Sequence, residues 1–345
     1  MRIPPEVRCP DHMEPLFPDA GGEAHHEDPH SLCCPCGCRF PVFNGIARFV
    51  GSRHYATAFG KQWKAFRKTQ LDSFTGTTIS RDRLKRCLGG SLGVVRNKSV
   101  LEAGCGAGRF TEVLLSEGAR VFACDLSEAV EANWENCQKY SNYFICQADI
   151  LRLPVCPEQF DVVICIGVVQ HTANPEKTMA ALCSQVKPGG ILVMDHYTQG
   201  YAVTPSRRLL RSFLLHTPSK FPLRFCEGLA AFLWPVHQSL SKIKDHRTFG
   251  RLYNAFVSVS PLVDYHNAYS QLGANLLRTW AILDTHDTLT DVYKHLRSAE
   301  EIAGCLRNCG MDDIETAYAG NGVEARARKP TRQTEPTAEA TKGAV

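Results

Sequence analysis

The sequence has neither a dense basic run nor a long uninterrupted apolar run. Its formal net charge is only +4 over 345 residues, and lysine and arginine do not cluster among aromatic residues, so nothing supports a nucleic-acid-binding surface. The longest apolar stretch contains Arg224 and Glu227 and is too short to span a membrane. The first residues contain no apolar core of a secretion signal, which leads us to expect a reducing, cytoplasmic setting.

The composition is that of an ordinary globular protein. Hydrophobic residues make up 44% of the chain and charged residues 21%, which fits neither a disordered nor a fibrous class. The sixteen cysteines are scattered, and Cys124, Cys146 and Cys165 lie inside apolar, strand-like runs. Since a buried free cysteine behaves as a small hydrophobe, we expect most of these cysteines to serve packing alone.

Residues 99–127 contain the strongest motif in the chain. They are predicted to form a strand, a glycine loop with Gly104, Gly106 and Gly108, a helix, and a second strand that ends at Asp125. The glycines remove side chains where the backbone turns sharply and approaches a ligand at the start of a helix. The pattern therefore predicts a nucleotide-type cofactor site at the carboxyl edge of a parallel sheet.

The residue after the loop bears on which cofactor this is. A dinucleotide fingerprint requires glycine or alanine where this chain has Arg109. The order E-x-G-x-G-x-G, beginning at Glu102, instead resembles motif I of the class I S-adenosylmethionine (SAM) methyltransferases. The resemblance implies that Glu102 and the three glycines border the methionine part of the cofactor. It also implies that Asp125, next to Leu126, binds both ribose hydroxyls.

Later motifs follow in the order expected for this family. Asp149 and Ile150 end a third predicted strand, where the resemblance implies contacts with the adenine amino group and ring. The segment from Gly167 to Gln170 and His171 ends a fourth strand, which is a continuous apolar run after Asp161, and matches the motif beside the sulfonium. Strands and helices alternate through the fifth strand, which predicts a Rossmann-like, doubly wound α/β fold. The family sheet has seven strands, of which strand 7 is antiparallel.

Two other functions remain open at this point. The first is an NAD(P)-dependent oxidoreductase that uses the same glycine loop, against which Arg109 and the pair Asp149 and Ile150 argue. The second is a non-catalytic module that keeps the fold for binding a partner. Calorimetry with SAM distinguishes both from a methyltransferase.

The N-terminal segment predicts a small zinc ribbon, because two short pairs of cysteine and histidine ligands flank a polar spacer. The ending F-P-V-F-N-G-I resembles that of the Trm112-like ribbons found ahead of some bacterial methyltransferases. The resemblance implies the ligand set Cys9, His12, Cys33 and Cys36. A metal-free remnant is the alternative, and two further cysteines are spare candidates, Cys34 and Cys38. Under either interpretation the module is structural or serves docking, since a closed site with four protein ligands has no open position for chemistry.

The leader that follows the ribbon is predicted to be helical. In methyltransferases with a similar leader these helices lie over the cofactor mouth, which makes Tyr55, Phe59, Gln62 and Trp63 candidate lid residues. Plain core packing is the alternative, because aromatic residues recur here at helical spacing.

The insertion after the fifth strand breaks the alternation of strands and helices. We expect it to be a helical cap over the substrate pocket. The alternative is a peripheral membrane-surface element or a pocket for an apolar, lipid-like substrate, motivated by the mixture of leucine, phenylalanine and arginine at 207–215. The predicted division of the chain is a ribbon at 1–51, a leader at 52–96, a methyltransferase domain at 97–199 and 290–330, a cap at 200–289, and a disordered tail at 331–345.

The expected reaction is transfer of a methyl group from SAM to a small-molecule acceptor. A general base is needed only if the acceptor is a hydroxyl group of high pKa. His171, at the end of the fourth strand, and His286, between two aspartates, are the candidate catalytic residues. The alternative for His171 is a packing role, and for His286 a solvated polar loop. The sequence does not indicate whether the acceptor atom is oxygen, nitrogen or carbon.

Overall fold

The chain folds around one extended β-sheet with helices on both faces. The computed structural model describes residues 3–19, 31–51, 54–199, 204–218 and 221–331, so most of the predicted tail lies outside the described residues. The strands are β1 (Phe17–Pro18), β2 (Ser31–Cys33), β3 (Arg39–Phe43), β4 (Ile46–Arg48), β5 (Ser99–Ala103), β6 (Arg120–Asp125), β7 (Tyr143–Gln147), β8 (Phe160–Cys165), β9 (Val186–Tyr197), β10 (Asp312–Ala319) and β11 (Gly322–Arg328).

Eleven helices accompany these strands in the described ranges. They are α1 (Thr57–Ala65), α2 (Asp72–Thr75), α3 (Ile79–Cys87), α4 (Thr111–Ser116), α5 (Ala129–Cys137), α6 (Pro175–Gln185), α7 (Pro205–Leu214), α8 (Phe221–Ser241), α9 (Arg247–Val259), α10 (Ala274–Thr290) and α11 (Ala299–Asn308). None of the described helices is long and apolar enough to cross a membrane.

The strand order confirms the Rossmann-like, doubly wound fold. The seven strands from β5 onward lie in the order β7, β6, β5, β8, β9, β11, β10. Neighbours from β7 to β9 pair in parallel, whereas β11 is antiparallel to both β9 and β10. The order reverses between β5 and β8, and such a switch point opens a crevice at the carboxyl ends of the strands.

The N-terminal strands continue this sheet. Strand β4 pairs in parallel with β7, with Ala47 opposite Cys146, and the hairpins β1 to β4 extend the order to eleven strands. Buried Arg48 reinforces the junction, since it donates to Gln147 at 3.2 Å and pairs with Glu131 at 2.9 Å. The cysteine-containing segment is therefore joined to the sheet by backbone pairing.

Two hydrophobic cores cover the two faces of the sheet, as alternation along the strands requires. On β5, Val100 packs with Val113 and Val130 of α4 and α5. Its neighbour Leu101 faces the opposite core, which contains Leu182 of α6 and residues of α11. Both layers fix the carboxyl ends of the strands in place.

The insertion forms a third core of its own. Trp234 of α8, Leu262 and Trp280 of α10 are buried together. A hydrogen bond of 2.5 Å between Nδ1 of buried His237 and Oδ2 of Asp264 lies beside this core. The insertion is therefore a packed helical layer, and α10 is the helix that connects it to the leader.

Candidate active site

A cavity of about 400 Å³ opens at the carboxyl ends of β5, β6 and β8. The glycine loop, the leader helix α1 and the cap helix α10 surround it. Its size and its position at the switch point are those of a small-molecule site.

The glycine loop needs glycine at its first position. Gly104 has a φ of +78°, and a Cβ atom there would lie 2.3 Å from the side chain of Val168. Gly104 and Gly106 line the cavity, whereas Gly108 does not. Gly108, with a φ of +96°, packs against Asn133 of α5.

Glu102 does not line the cavity, which differs from the sequence-based expectation. It is 3% exposed, and its Oε2 accepts a hydrogen bond of 2.6 Å from the hydroxyl of Thr111. Burial raises the pKa of Glu102 to about 8. Its side chain is directed toward the start of α4, so it supports the loop from behind.

Asp125 lines the cavity together with Leu126. Its Oδ1 accepts hydrogen bonds from the backbone N–H of Ser127 at 2.8 Å and from its hydroxyl at 2.7 Å. Its Oδ2 accepts from the N–H of Gly106 at 3.0 Å. Burial raises the pKa of Asp125 although these hydrogen bonds oppose the shift. The carboxylate is thus locked to the glycine loop and presented to the cavity.

The third and fourth strands each contribute to the wall. Asp149 and Ile150 both line the cavity, where Oδ1 of Asp149 accepts from the N–H of Leu151 at 2.9 Å. Gly167 also lines it. Gln170 does not: it is 1% exposed within a short 3-10 turn that directs His171, and not Gln170, into the cavity.

His171 is held in one tautomer by its neighbours. Nδ1 lies 3.1 Å from the carbonyl oxygen of Tyr293 and 3.3 Å from Oδ2 of Asp291. Since a carbonyl oxygen only accepts, Nδ1 carries the proton and Nε2 of the neutral ring is free to accept one. Burial opposes the charged form, but Asp291 and Asp287 outweigh it and raise the pKa of His171.

Asp291 is a fully buried carboxylate shared by two cations and His171. Besides His171 it pairs with Arg211 of α7 at 2.7 Å and with Lys294 at 2.9 Å. It is 0% exposed. Sequence analysis missed it, because a single aspartate just after a predicted cap gives no local signal.

His286 is not in the cavity wall, and it lies on helix α10 and not in a polar loop. It is 3% exposed, and burial lowers its pKa to about 4. Its Nδ1 lies 2.6 Å from Oε1 of Gln62, whose Nε2 has no hydrogen-bond partner among the described residues and which lines the cavity. His286 thus orients the amide of Gln62.

The four lid candidates of the leader all line the cavity: Tyr55, Phe59, Gln62 and Trp63. The ring of Phe59 lies 5.5 Å from that of His171. A Cβ atom on Gly106 would be 3.4 Å from the indole of Trp63. The leader therefore covers the loop and the histidine together.

The cap supplies an aromatic and acidic wall that sequence analysis did not identify. Trp280 lies 4.8 Å from the ring of Tyr269 and 6.0 Å from that of Tyr265. The hydroxyl of Tyr265 donates to Asp284, and burial raises the pKa of Asp284 to about 7. Asp284 and Asp287 line the cavity one helical turn apart, so the available signal was their i, i+3 spacing on either side of His286.

Comparison with known families decides the class of this domain. Residues 101–194 match the family model described as "Methyltransferase domain". The chain contains a class I SAM-dependent methyltransferase domain. The glycine loop and the strands β5, β6, β7 and β8 all fall within the matched residues.

Curated relatives of the methyltransferase domain are similar over the same region. A protein named "Ubiquinone biosynthesis O-methyltransferase" from Coxiella burnetii (strain Dugway 5J108-111) is 33% identical over 110 residues, which cover 31% of this chain and 47% of that protein. A protein of the same name from Pseudomonas fluorescens (strain SBW25) is 35% identical over 96 residues, which cover 27% and 41%. The chain spans less than half the length of these relatives.

Solved structures show a more distant likeness. A SAM-dependent methyltransferase from Aquifex aeolicus has 15% identity and a TM-score of 0.41, covering 78% of this chain and 97% of that chain. A complex between the Haloferax volcanii Trm112 methyltransferase activator and a methyltransferase gives 12% identity and a TM-score of 0.39, with coverage of 75% and 97%.

Ahead of the methyltransferase domain, four side chains form a potential metal site: Cys9, His12, Cys34 and Cys38. Nδ1 of His12 lies 3.6 Å from Sγ of Cys9, 3.9 Å from that of Cys34 and 3.6 Å from that of Cys38. Tetrahedral zinc with ordinary bond lengths separates sulfur and nitrogen ligands by roughly 3.5 Å. The donor set therefore fits zinc in both chemistry and spacing.

The cluster differs from the set implied by the resemblance at two positions. Cys33 ends strand β2, and Cys36 is exposed at the tip of the turn. Backbone hydrogen bonds of 3.0 Å, from Gly37 to Cys34 and from Cys34 to Cys38, close this turn. The turn brings Cys34 and Cys38 to the same side, so these two cysteines, and not Cys33 and Cys36, lie in the cluster with Cys9 and His12.

Proposed function

We propose that this protein is a SAM-dependent methyltransferase acting on a small-molecule acceptor. The observation that carries the proposal is the meeting of Asp125, Asp149 and the glycine loop in one cavity. These groups follow one another in the order of the family's motifs. The NAD(P) alternative is disfavoured, because the dinucleotide fingerprint has glycine or alanine where this chain has Arg109.

The cofactor residues divide into contacting and supporting groups. Gly104 and Gly106 would border the methionine part, Asp125 would accept from both ribose hydroxyls, and Asp149 with Ile150 would meet the adenine. The other predicted residues would act from behind the wall: Glu102, Gly108 and Gln170.

The reaction makes modest demands on the protein. Bound SAM supplies a methyl group already activated by its positive sulfur. The side chains would align the acceptor with that methyl. Such alignment lowers the activation barrier by ~7–11 kcal/mol in favourable cases. Tyr55, Phe59 and Trp63 would exclude water from the cavity, since they cover the glycine loop and His171.

A hydroxyl acceptor fits the histidine best. The curated relatives are named O-methyltransferases, and His171 presents a free Nε2 toward the cavity while its Nδ1 stays bonded to Tyr293 and Asp291. Nε2 would take the hydroxyl proton as the oxygen attacks the methyl. His286 has no such role, because it does not reach the cavity.

The zinc site would be structural. Four protein ligands leave no open position on zinc, and β4 ties the segment to β7. The cap helices α7 to α10 would close the acceptor half, because α10 carries the aromatic and acidic wall.

Calorimetry with SAM tests the proposal. Wild-type protein should bind SAM, and Asp125→Ala should weaken binding by at least about tenfold, because each hydrogen bond to a charged group is worth ~1.5–3 kcal/mol. Asp245→Ala, which changes an exposed aspartate of the cap, is the matched control and should bind as wild type. Absence of SAM binding by wild type would reject the methyltransferase, and unchanged binding by Asp125→Ala would reject the role of Asp125.

A further inference from the structure

Helix α8 of the cap is apolar on its exposed face as well as on its buried face. Every fourth residue from Pro222 to Trp234 is buried. The exposed face presents Phe232 and Val236 to solvent, and Phe232 is 79% exposed. Because a helix that borders solvent usually carries polar residues on its outer face, and exposed apolar patches mark interaction sites, this face is expected to have a partner.

The neighbouring helices extend this face. Leu209 of α7 is 74% exposed, and the ring of Phe213 lies 6.4 Å from that of Phe221 at the start of α8. The hydroxyl of Ser206 donates to the carbonyl oxygen of Val259 at 2.6 Å, which places the end of α9 beside the start of α7. Helices α8 and α9 also pack against each other. We call the exposed apolar residues of the three helices the cap surface: Leu209, Phe213, Phe221, Phe232, Leu252 and Val259.

The helices that carry the cap surface are strongly basic. Residues 204–259 contain nine lysine and arginine residues but only two acidic residues, Glu227 and Asp245, which gives a formal charge of +7. Since the whole chain has a formal charge of +4, the remaining residues carry −3. Each of the three helices has an exposed arginine: Arg208 on α7, Arg224 on α8 and Arg251 on α9. Basic and apolar side chains are therefore combined on the same helices.

This combination limits the kind of partner. No helix in the described part of the chain is long and apolar enough to cross a membrane. Helices with exposed leucine and phenylalanine beside arginine are typical of elements that lie in the interface of a bilayer, where anionic lipids attract the basic residues. A second copy of the chain that docked through the same face would bring two surfaces of the same sign together. We propose that the cap surface and its three arginines bind the surface of an anionic phospholipid bilayer.

The cap surface lies on a helix that also reaches the cavity. Arg207 of α7 is part of the cavity wall, while Leu209 of the same helix is exposed. Binding to a bilayer would therefore bring the cavity close to the lipid, where an apolar acceptor could enter it. This consequence rests on the proposed function, whereas membrane binding itself does not.

Cosedimentation of the full chain with vesicles tests the proposal, without SAM or an acceptor. One vesicle type contains phosphatidylcholine alone, and the other contains equal parts of phosphatidylcholine and phosphatidylglycerol. The apolar variant combines Leu209→Ser with Phe232→Ser, and the charge variant combines Arg208→Gln with Arg251→Gln. Tyr318→Ser on the edge strand β10 and Arg120→Gln on β6 change exposed residues outside the cap and are the matched controls.

Wild type should bind the anionic vesicles and bind phosphatidylcholine at least about tenfold more weakly. Both cap variants should bind the anionic vesicles at least about tenfold more weakly than wild type, because burial of leucine and phenylalanine and attraction of two arginines are lost. The controls should bind as wild type. Raising the salt from about 0.1 to about 0.5 M should weaken binding, since salt screens exposed charges. If the apolar variant does not fold, the charge variant alone decides the location.

Other results overturn the proposal. Equal binding of wild type to both vesicle types rejects an anionic partner, and unchanged binding by both cap variants rejects the cap surface as the contact. Absence of binding to anionic vesicles rejects the membrane, whatever the outcome of SAM calorimetry. If wild type then forms a dimer in solution that the apolar variant abolishes, a second copy covers the cap surface instead. Failure of SAM binding with intact vesicle binding would reject the proposed function alone.

Discussion

Serine substitutions at Cys34 and Cys38 should release zinc, whereas the same substitutions at Cys33 and Cys36 should not. Serine keeps the size of cysteine but removes the thiolate that binds the metal. Sγ of Cys34 and of Cys38 lies within 3.9 Å of Nδ1 of His12, but the sulfurs of Cys33 and Cys36 are not in the cluster. The four variants therefore form a matched set within one short turn.

The size of the effect follows from the number of ligands. Structural zinc sites bind with apparent free energies of roughly 10–16 kcal/mol, or roughly 2.5–4 kcal/mol for each of four ligands. Loss of one thiolate should thus weaken the affinity for zinc roughly 10²- to 10³-fold. SAM affinity should change little, since the sheet and not the metal positions the cavity.

Competition with a chromogenic zinc chelator measures these affinities, and elemental analysis gives the stoichiometry. We expect one zinc per chain in the wild type, Cys33→Ser and Cys36→Ser. Zinc retention by Cys34→Ser and Cys38→Ser, with loss in the other pair, would restore the ligand set implied by the family resemblance. A wild-type chain that binds no zinc would reject both sets.

Three further predictions concern the cavity and its support. Only the neutral form of His171 can act as a base, so turnover should rise as the pH passes its pKa. Asp291 raises that pKa, and Asp291→Asn should therefore move the rise in turnover to lower pH. An unmoved pH profile would argue against the interaction of Asp291 with His171. His286→Ala should weaken SAM binding severalfold, because it leaves the amide of Gln62 without its partner. The loss of affinity should be the same from pH 6 to 8, because burial lowers the pKa of His286 to about 4. A loss of affinity that changes near pH 7 would contradict this. Glu102 has a folded pKa of about 8, above its unfolded value, so the folded state holds its proton and loses stability as pH rises from about 4.5 to 8. The melting temperature of Glu102→Gln relative to wild type should therefore increase from pH 5 to 8, and a constant difference would contradict the burial argument.

The part of the cavity wall that includes the glycine loop could be predicted from sequence because its pieces are local. Gly104 and Asp125 each follow a strand of the same parallel sheet, and the carboxyl ends of such strands meet at one edge. Asp149 follows the next strand in the same way. Short-range order in the chain was therefore enough to bring these side chains together.

Local order does not determine whether the neighbours of these residues reach the cavity. Gln170 and His171 are adjacent in a 3-10 turn, where successive side chains point in different directions, so only His171 reaches the cavity. Glu102 lies on a strand, and its side chain takes the face opposite to that of a residue one position away. Sequence adjacency to a motif does not by itself place a side chain in the site.

The rest of the cavity wall could not be predicted, because it combines segments distant in sequence. Arg83 comes from the leader, Arg109 from the glycine loop and Trp280 from the cap. Each segment by itself resembles ordinary amphipathic packing. Only tertiary contacts, such as those of both arginines with the ring of Phe110, bring these segments together.

Asp291 connects the cap helices with His171, the candidate base. Asp291 directly follows α10 and accepts a hydrogen bond from Arg211 of α7. It also faces Nδ1 of His171 in the turn after β8. A charge removed from one of these partners changes the electrostatic balance of the others, because Asp291 is fully buried and water cannot screen it. The carboxylate thus links the position of α7 to the basicity of His171, and the helices that would recognise the acceptor also set the state of the group that would deprotonate it.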